Sequence, residues 1–437
     1  MMSKKSLCSL VAISLGGWLW VVPIAGAAEV AVSDAEAARK AVRDAAPGDV
    51  IVLSSGEWRD VDLRLDGEGT AELPITIRAA EAGGTIFAGA SRVRLGGSYL
   101  VLSGVKLHNL SGAQADWLEF RIDSKRRASH CRVTDCAFTE DADFAAEKEN
   151  RWIGIYGEGN RLDHCRIEGK KNKGASVVVW LGEEDKGQHL IQRNYFGPRP
   201  RLGKNGGETL RVGASESSMQ TANCLVEENL FFQCDGETEC ISNKSCGNIY
   251  RGNTFQQVQG TLTLRHGNDC IVEDNVFLGE KRSQTGGIRV IGEGHVVRNN
   301  ALFDLEGDGF RSAITILRGL PKSPLNGYFP VVRAVISGNR IENCKHSLVI
   351  GYHDEDDATV PPRDCEFTGN VIVAREGQAA VSVLSALEGA TWKDNVVSGS
   401  LEGIEAQEGL AIGKPDPAPA PNALTRETLG LSEWMWK

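Results

Sequence analysis

Between Glu237 and Arg265 the chain carries an acidic doublet, Glu237-Thr238-Glu239, then Asn243-Lys244-Ser245, then Arg265-His266-Gly267-Asn268. Carboxylates are ligands for hard cations, a deprotonated lysine is a base, and an arginine is a lasting positive charge. Such a set suits chemistry on an acidic sugar. Glu237 and Glu239 are two apart, the spacing that turns both side chains to one face of a strand. With Asn205, about one repeat earlier, they offer oxygen donors to a hard cation, with room for water and a substrate carboxylate. Ca²⁺ fits such a set best, whereas no His or Cys pair has the usual spacing of zinc ligands.

These residues are far apart in sequence, so a repeating scaffold must bring them together. A short apolar strand, two polar residues, an Asn and another apolar pair recur along most of the chain, as in Cys224-Leu225-Val226-Glu227-Glu228-Asn229-Leu230-Phe231. The phrase returns at Asn194, Asn253, Asn275, Asn300, Asn339, Asn370 and Asn395, with Cys136 and Cys165 in the Asn place earlier. Successive spacings from 136 are 29, 29, 35, 24, 22, 25, 39, 31 and 25. A minimum period with insertions in some coils is the mark of a solenoid, and the absence of helical spacing makes each unit a β-coil. An antiparallel sandwich or propeller would show longer units or hairpin dipeptides. Asn suits a turn because it tolerates left-handed φ and its amide can bond backbone above and below.

With coils stacked about 4.8 Å apart, the Asn column serves as a ruler. Lys244, Arg265 and Arg289 precede their column Asn by 9, 10 and 11 residues, which predicts one row of cations on one face, with Arg211 as an extension. The expected fold is all-β: a single-domain right-handed parallel β-helix with caps at both ends. Ser33-Asp34-Ala35-Glu36 reads as a capping box opening a helix to about Ala46. A Pro-rich linker and closing segment occupy 414–437, with Trp434 and Trp436 closing the C-terminal cap, and the β-helix with its N-terminal cap fills 28–413.

Lys4 and Lys5, an apolar run from Leu10 to Ile24 and Ala25-Gly26-Ala27 read as a signal peptide over 1–27, cut after Ala27 or Ala28. This implies export to the periplasm or medium. Its removal takes away two lysines and no acids, leaving a chain more acidic than its formal -10 and arguing against nucleic acid as partner. A polyanionic substrate then needs a local basic cleft. No membrane contact is expected after processing, and a monomer is expected. Cysteines in an exported chain suggest disulfides, but Cys224, Cys270 and Cys365 each lie five residues before a column Asn, which places them in the interior. His164, His189 and His295 read as turn or core residues.

The phrases Asn205-Gly206-Gly207-Glu208-Thr209-Leu210-Arg211, Glu237-Thr238-Glu239 with Asn243-Lys244-Ser245, and Arg265-His266-Gly267-Asn268 resemble those of polysaccharide lyase family 6, which contains alginate lyases and chondroitinase B. The resemblance implies β-elimination on a uronic acid. Asn205, Glu237 and Glu239 would bind Ca²⁺, Lys244 would take the C5 proton, and Arg265 would supply or orient the proton for the leaving O4. It further implies substrate contacts from Glu208, Arg211, His266, Arg289, Tyr352 and Lys170. A lysine among other cations and partly desolvated favours its neutral form, as a base must. Arginine keeps its proton, so Arg265 can also act by charge alone, with water as donor.

Alternative readings are a dermatan sulfate lyase and a non-catalytic polysaccharide-binding β-helix. A glycosidase would require paired carboxylates across the cleft. His266 could cap a turn, and Arg211 and Arg289 could pair structurally with Glu208 or another acid.

Overall fold

A computed structural model describes residues 27–111, 116–142, 149–183, 185–353, 355–417 and 419–436. The expected signal peptide lies outside them except for its last residue. Each full coil contributes one strand to each of three parallel sheets of 14 strands, as in Leu225–Glu227, Leu230–Phe232 and Glu239–Lys244. We refer to these as the first, second and third sheets. Coil follows coil in parallel register, Leu225 against Ile249 and Leu230 against Thr254, giving the expected right-handed parallel β-helix. Alternate residues of each short strand point inward, so one continuous core of Val, Ile, Leu, Phe and Cys runs the length of the stack. Phe196, Phe231, Phe255 and Phe277 form a file within it, with ring centroids 4.6, 4.8 and 4.5 Å apart.

The Asn column sits at the corner between the first and second sheets, and every column Asn is buried. Asn275 shows the pattern. Its Oδ1 accepts from the backbone N and Nδ2 of Asn253 at 2.9 and 3.0 Å, while its Nδ2 donates to Asn300 Oδ1 and Tyr250 O at 2.9 Å each. The ladder continues unbroken from Asn194 to Asn395, and Cys165 enters it through its backbone N, which donates to Asn194 Oδ1. The left-handed residue is not the Asn itself, as the sequence suggests, but the one before it. Glu228, Asp274, Asn299 and Asp394 hold φ of 53°, 56°, 55° and 56°. The Asn is thereby free to point its amide inward.

A second polar column lines the corner between the third and first sheets. There Asn160, His189, Asn248 and His295 accept from backbone N groups of the coil before, Cys270 N donating to His295 Nδ1 at 3.1 Å. His189 and His295 are therefore core residues, and His164 is a turn residue with φ of 50°. The ten cysteines from Cys131 to Cys365 are all buried and free, so they serve as small core side chains.

The N-terminal helix spans Ala35–Asp44 and buries Ala38 and Val42. Asp34 rather than Ser33 caps it, its carboxylate accepting from Glu36 N and Ala37 N at 3.0 and 2.8 Å. The C-terminal segment departs further from expectation. It turns back along the second sheet instead of sitting on the last coil. Leu424 N donates to Thr254 Oγ1, Arg426 bonds Tyr195, Arg166 bonds Met435 O, and the ring of Trp434 lies over Gly83. Tyr195, Leu230 and Leu429 form a small separate core there, with Trp436 edge-on to Tyr195. The flank of the stack offers apolar side chains that this segment covers. Among the described residues no helix is long and apolar enough to cross a membrane.

Removing one rung strands its neighbours inside the stack, where unpaired polar groups are costly. Asn275→Ala is expected to lower unfolding free energy by roughly 2–4 kcal/mol, measured as a shift in denaturation midpoint against wild type.

Candidate active site

The third sheet carries the site, and the loops entering and leaving it are the largest. On Leu210–Gly213, Glu239–Lys244, Thr261–His266 and Ile288–Val290, inward Leu210, Ile241, Leu262 and Ile288 fill the core. Arg211, Ser242, Thr263 and Arg289 form one outward column by backbone register. Lys244 and Arg265 lie two residues further along their strands. The single cation row predicted from the Asn ruler is thus two columns, one headed by Arg211 and Arg289 and the other by Lys244 and Arg265. The ruler allowed a one-residue drift, but Arg289 pairs in regular register with Thr263, two residues before Arg265. Separately, the register between Glu239–Lys244 and Thr261–His266 slips at both ends, pairing Lys244 with His266. Such irregularities re-aim side chains next to functional sites.

Asn205, Glu237, Glu239, Lys244, Arg265 and His266 all line one cleft of about 640 Å³. Asn243 braces the end of the lysine's strand from inside. Its Nδ2 donates to Ser245 O and His266 O, and its Oδ1 accepts from Asn248 Nδ2 and Tyr250 Oη, both at 2.8 Å.

The acidic doublet does not share a strand, since Glu237 precedes Glu239–Lys244 in a bend. Glu237 is aimed instead by the Gly206-Gly207 pair, whose N–H groups donate to its Oε2 at 2.8 and 3.1 Å. A Cβ on Gly207 would fall 2.4 Å from Gly236 O, so only glycine lets the two loops approach this closely. Burial, then the charges of Glu208 and Glu239, push the Glu237 carboxyl up to about 8. Glu208 is only 3% exposed, and its Oε2 has no hydrogen-bond partner. Crowded acids with an orphaned oxygen are a donor set that a hard cation would relieve. Among the described residues no three His, Cys, Asp or Glu side chains are grouped to hold a metal by themselves. A cation here would draw on Asn205, Glu237 and Glu239, with water and ligand oxygens completing its shell.

The hydrogen bonds that hold Arg265 go to neutral partners. Arg265 donates to Gly327 O at 2.6 Å and Asn326 O at 3.2 Å, and its guanidinium lies 4.1 Å from the Tyr328 ring centre. Its Nη1 also donates to His266 Nε2 at 2.8 Å, which leaves the His266 proton on Nδ1, facing Ser215 Oγ at 3.5 Å. Arg289 is 5% exposed, its guanidinium 4.8 Å from the Phe310 ring centre, and it bonds Tyr328 Oη at 3.3 Å. Arg265 Nε and Arg289 Nη1 each stand 3.6 Å from Glu239 Oε1, so this one carboxylate faces both arginines.

The remaining predicted contacts fall outside the cleft lining. Glu208 and Arg289 lie just beneath it. Arg211 sits to one side, 4.9 Å from the Trp180 ring centre. Tyr352 packs behind Phe310, edge-on at 6.3 Å. Lys170 does not reach the cleft: it is 1% exposed, and its ammonium donates to Asn150 Oδ1 at 2.8 Å and to Asn172 Oδ1 and O. A buried ammonium satisfied by these oxygens braces the stack and would have to be pulled out of it to meet a substrate. Sequence reasoning also missed Tyr328 and Asn326, on the loop leaving Ile314–Leu317, and Arg201, Gln259 and Arg311 at the opposite edge. The 39-residue step from Asn300 to Asn339 was the one signal for that loop.

The sequence model of the chondroitinase B family matches residues 32–414. Among solved structures, a PL6 family alginate lyase, AlyGC, is similar at 36% identity and a TM-score of 0.86, covering 93% of this chain. This chain spans 57% of that protein's length. A mannuronic acid specific polysaccharide family 6 lyase from human gut microbiota is similar at 28% identity and a TM-score of 0.79, covering 89% of this chain and 92% of its own. A PL6 family lyase from Pseudopedobacter saltans, at 24% identity and a TM-score of 0.78 over 93% and 99% of the two chains, shares the fold. No curated protein matches the chain.

Burial first, then the charges of Arg265 and Lys244, hold the His266 imidazole down to about 4. The folded state therefore binds fewer protons than the unfolded chain between about pH 4 and 6.5. Stability contributed by this neutral histidine is present above pH 6.5 and is lost as pH falls through 4. Nitrogen-15 NMR should show a neutral Nδ1–H imidazole throughout pH 5–8, and Arg265→Ala should raise its titration point.

Proposed function

Because the chain belongs to polysaccharide lyase family 6, the family of the chondroitinase B model, we propose that it cleaves alginate by β-elimination at a uronate residue. The observation that carries this reading is one cleft holding a lysine and an arginine beside an oxygen-donor group, Asn205, Glu237 and Glu239. Similarity to a mannuronic acid specific lyase over most of both chains supports a uronate substrate.

In this reading Lys244 takes the C5 proton of the uronate, the electron pair forms the C4–C5 double bond, and the C4–O4 bond breaks. Arg265 presents its charge to the departing O4. Its hydrogen-bonded anchors on Gly327 O, Asn326 O and His266 Nε2 are neutral, so those bonds fix the guanidinium without cancelling its charge. Because arginine does not release its proton, water supplies the one that O4 gains. Ca²⁺ bound by Asn205, Glu237 and Glu239 would neutralise the substrate carboxylate and so acidify C5–H. Glu239 facing Arg265 and Arg289 ties the cation ligands to the catalytic arginine in one charge network. Tyr328 and Asn326 wall the cleft on the Arg265 side. We also propose export before action, with processing after Ala27 or Ala28; Ala28 is already built into the stack, its O accepting from Val50 N.

Purified protein should release unsaturated uronate, followed by its ultraviolet absorbance, from alginate, polymannuronate or polyguluronate. Release from dermatan sulfate instead would move the substrate to the chondroitinase branch, and no release from any of the four would refute the lyase reading. Lys244→Ala should lower kcat by about 10²–10⁴-fold with the fold intact. A chelator should abolish turnover and added Ca²⁺ restore it.

A further inference from the structure

Two arginines at the edge where the third-sheet strands begin have no part in the reaction described above. Arg201 donates to Gln259 Oε1 at 3.3 Å and to Gln284 Oε1. Arg311 donates through Nε to Gln259 O at 3.3 Å and through Nη2 to Thr238 Oγ1 at 2.8 Å. One glutamine therefore carries both guanidiniums, the first on its side chain and the second on its backbone. Gln259 is itself pinned, its N donating to Asp235 Oδ1 and its Nε2 to Ser283 O, both at 2.9 Å. Arg201, Arg311, Gln259 and Thr238 all line the cleft that holds Lys244 and Arg265.

The bonds these two guanidiniums make go to neutral oxygens, so their charges reach the cleft uncancelled by those bonds. Burial first, then the charge of Arg201, depresses the Arg311 guanidinium, with Arg289 adding to this against the pull of Asp308, which already pairs with Lys345 at 2.8 Å. Holding like charges together in a partly buried wall is costly unless an anion completes the arrangement. A guanidinium pair on a fixed support suits a planar carboxylate, which each fork can meet with parallel N–H groups.

Position argues which carboxylate. Thr238 comes just before Glu239–Lys244, whereas Lys244 closes that strand and His266 closes the next. The arginine pair and the base thus stand at opposite edges of one sheet, with Glu239 between. A polymer with its reacting uronate at Lys244 and Arg265 and lying across the strands brings the carboxylate of another unit to the far edge. We propose that Arg201 and Arg311 form a second carboxylate subsite, engaging a uronate further along the chain than the one that reacts. This rests on the uronate-polymer reading above.

The test separates binding from turnover. In Lys244→Ala protein, titration calorimetry with a mannuronate tetrasaccharide should show the dissociation constant rising about tenfold for Arg311→Gln and at least about threefold for Arg201→Gln. In the active protein the same changes should raise KM by similar factors and leave kcat at saturation within about twofold. Arg201 is exposed, so Arg201→Gln decides the matter alone if Arg311→Gln melts early. Unchanged affinity in folded variants, or a fall in kcat with unchanged affinity, overturns the subsite while leaving the lyase reading standing. Arginine-dependent binding by a protein that releases no product overturns the lyase reading and leaves the subsite.

Discussion

Everything in this molecule depends on one repeated hydrogen bond, the amide of each column asparagine bonding to the next along the stack. The corner it occupies is where backbone turns, and a turn buried between sheets has N–H and C=O groups that no sheet can satisfy. Asn meets both needs at once, donating through Nδ2 and accepting through Oδ1. A chain of such amides locks coil to coil in one register, so side chains distant in sequence acquire fixed neighbours. Lys244 and Arg265 meet because their coils are successive rungs of this ladder.

Within that rigid frame the site departs from regularity where function needs it. The slipped register between Glu239–Lys244 and Thr261–His266 offsets Lys244 from its coil equivalent, and Gly206-Gly207 lets a loop close onto Glu237. Opposite charges are then interleaved rather than paired off. Glu239 stands 3.6 Å from each of two arginines, a separation at which attraction persists without a hydrogen bond. Crowded acids stand on one side of the cleft and restrained arginines on the other.

How much of this could be read from the chain follows from which interactions are periodic. The Asn spacing made the β-helix legible, and the positions of Cys224, Cys270 and Cys365 before it marked them as interior, because both recur with the coil. The acids, the lysine and the arginine that line the cleft were also legible, since their phrases are local. Register slippage was not, because it lies in backbone pairing and leaves no mark in residue type. Lys170 looks like a cleft lysine until Asn150, 20 residues away, is seen to accept a hydrogen bond from its ammonium. Tyr328, Arg201 and Arg311 lie in inserted loops, which carry no period to align them, and Asp34 rather than Ser33 is the cap because the helix begins at Ala35.

Repeat stacks ordinarily fray from their ends, each terminal coil holding only one neighbour. The returning C-terminal segment changes that rule here. Ser432 bonds Asp135 across 297 residues of sequence, and Trp434 rests on Gly83, in one of the earliest coils. Peeling away an early coil must therefore also lift the returning segment, which is in turn fastened to Tyr195 and Thr254 further along. The solenoid is laced along one side, so that its unzipping from the front becomes a cooperative event, and the early coils reach their final packing only once the returning segment has docked on them.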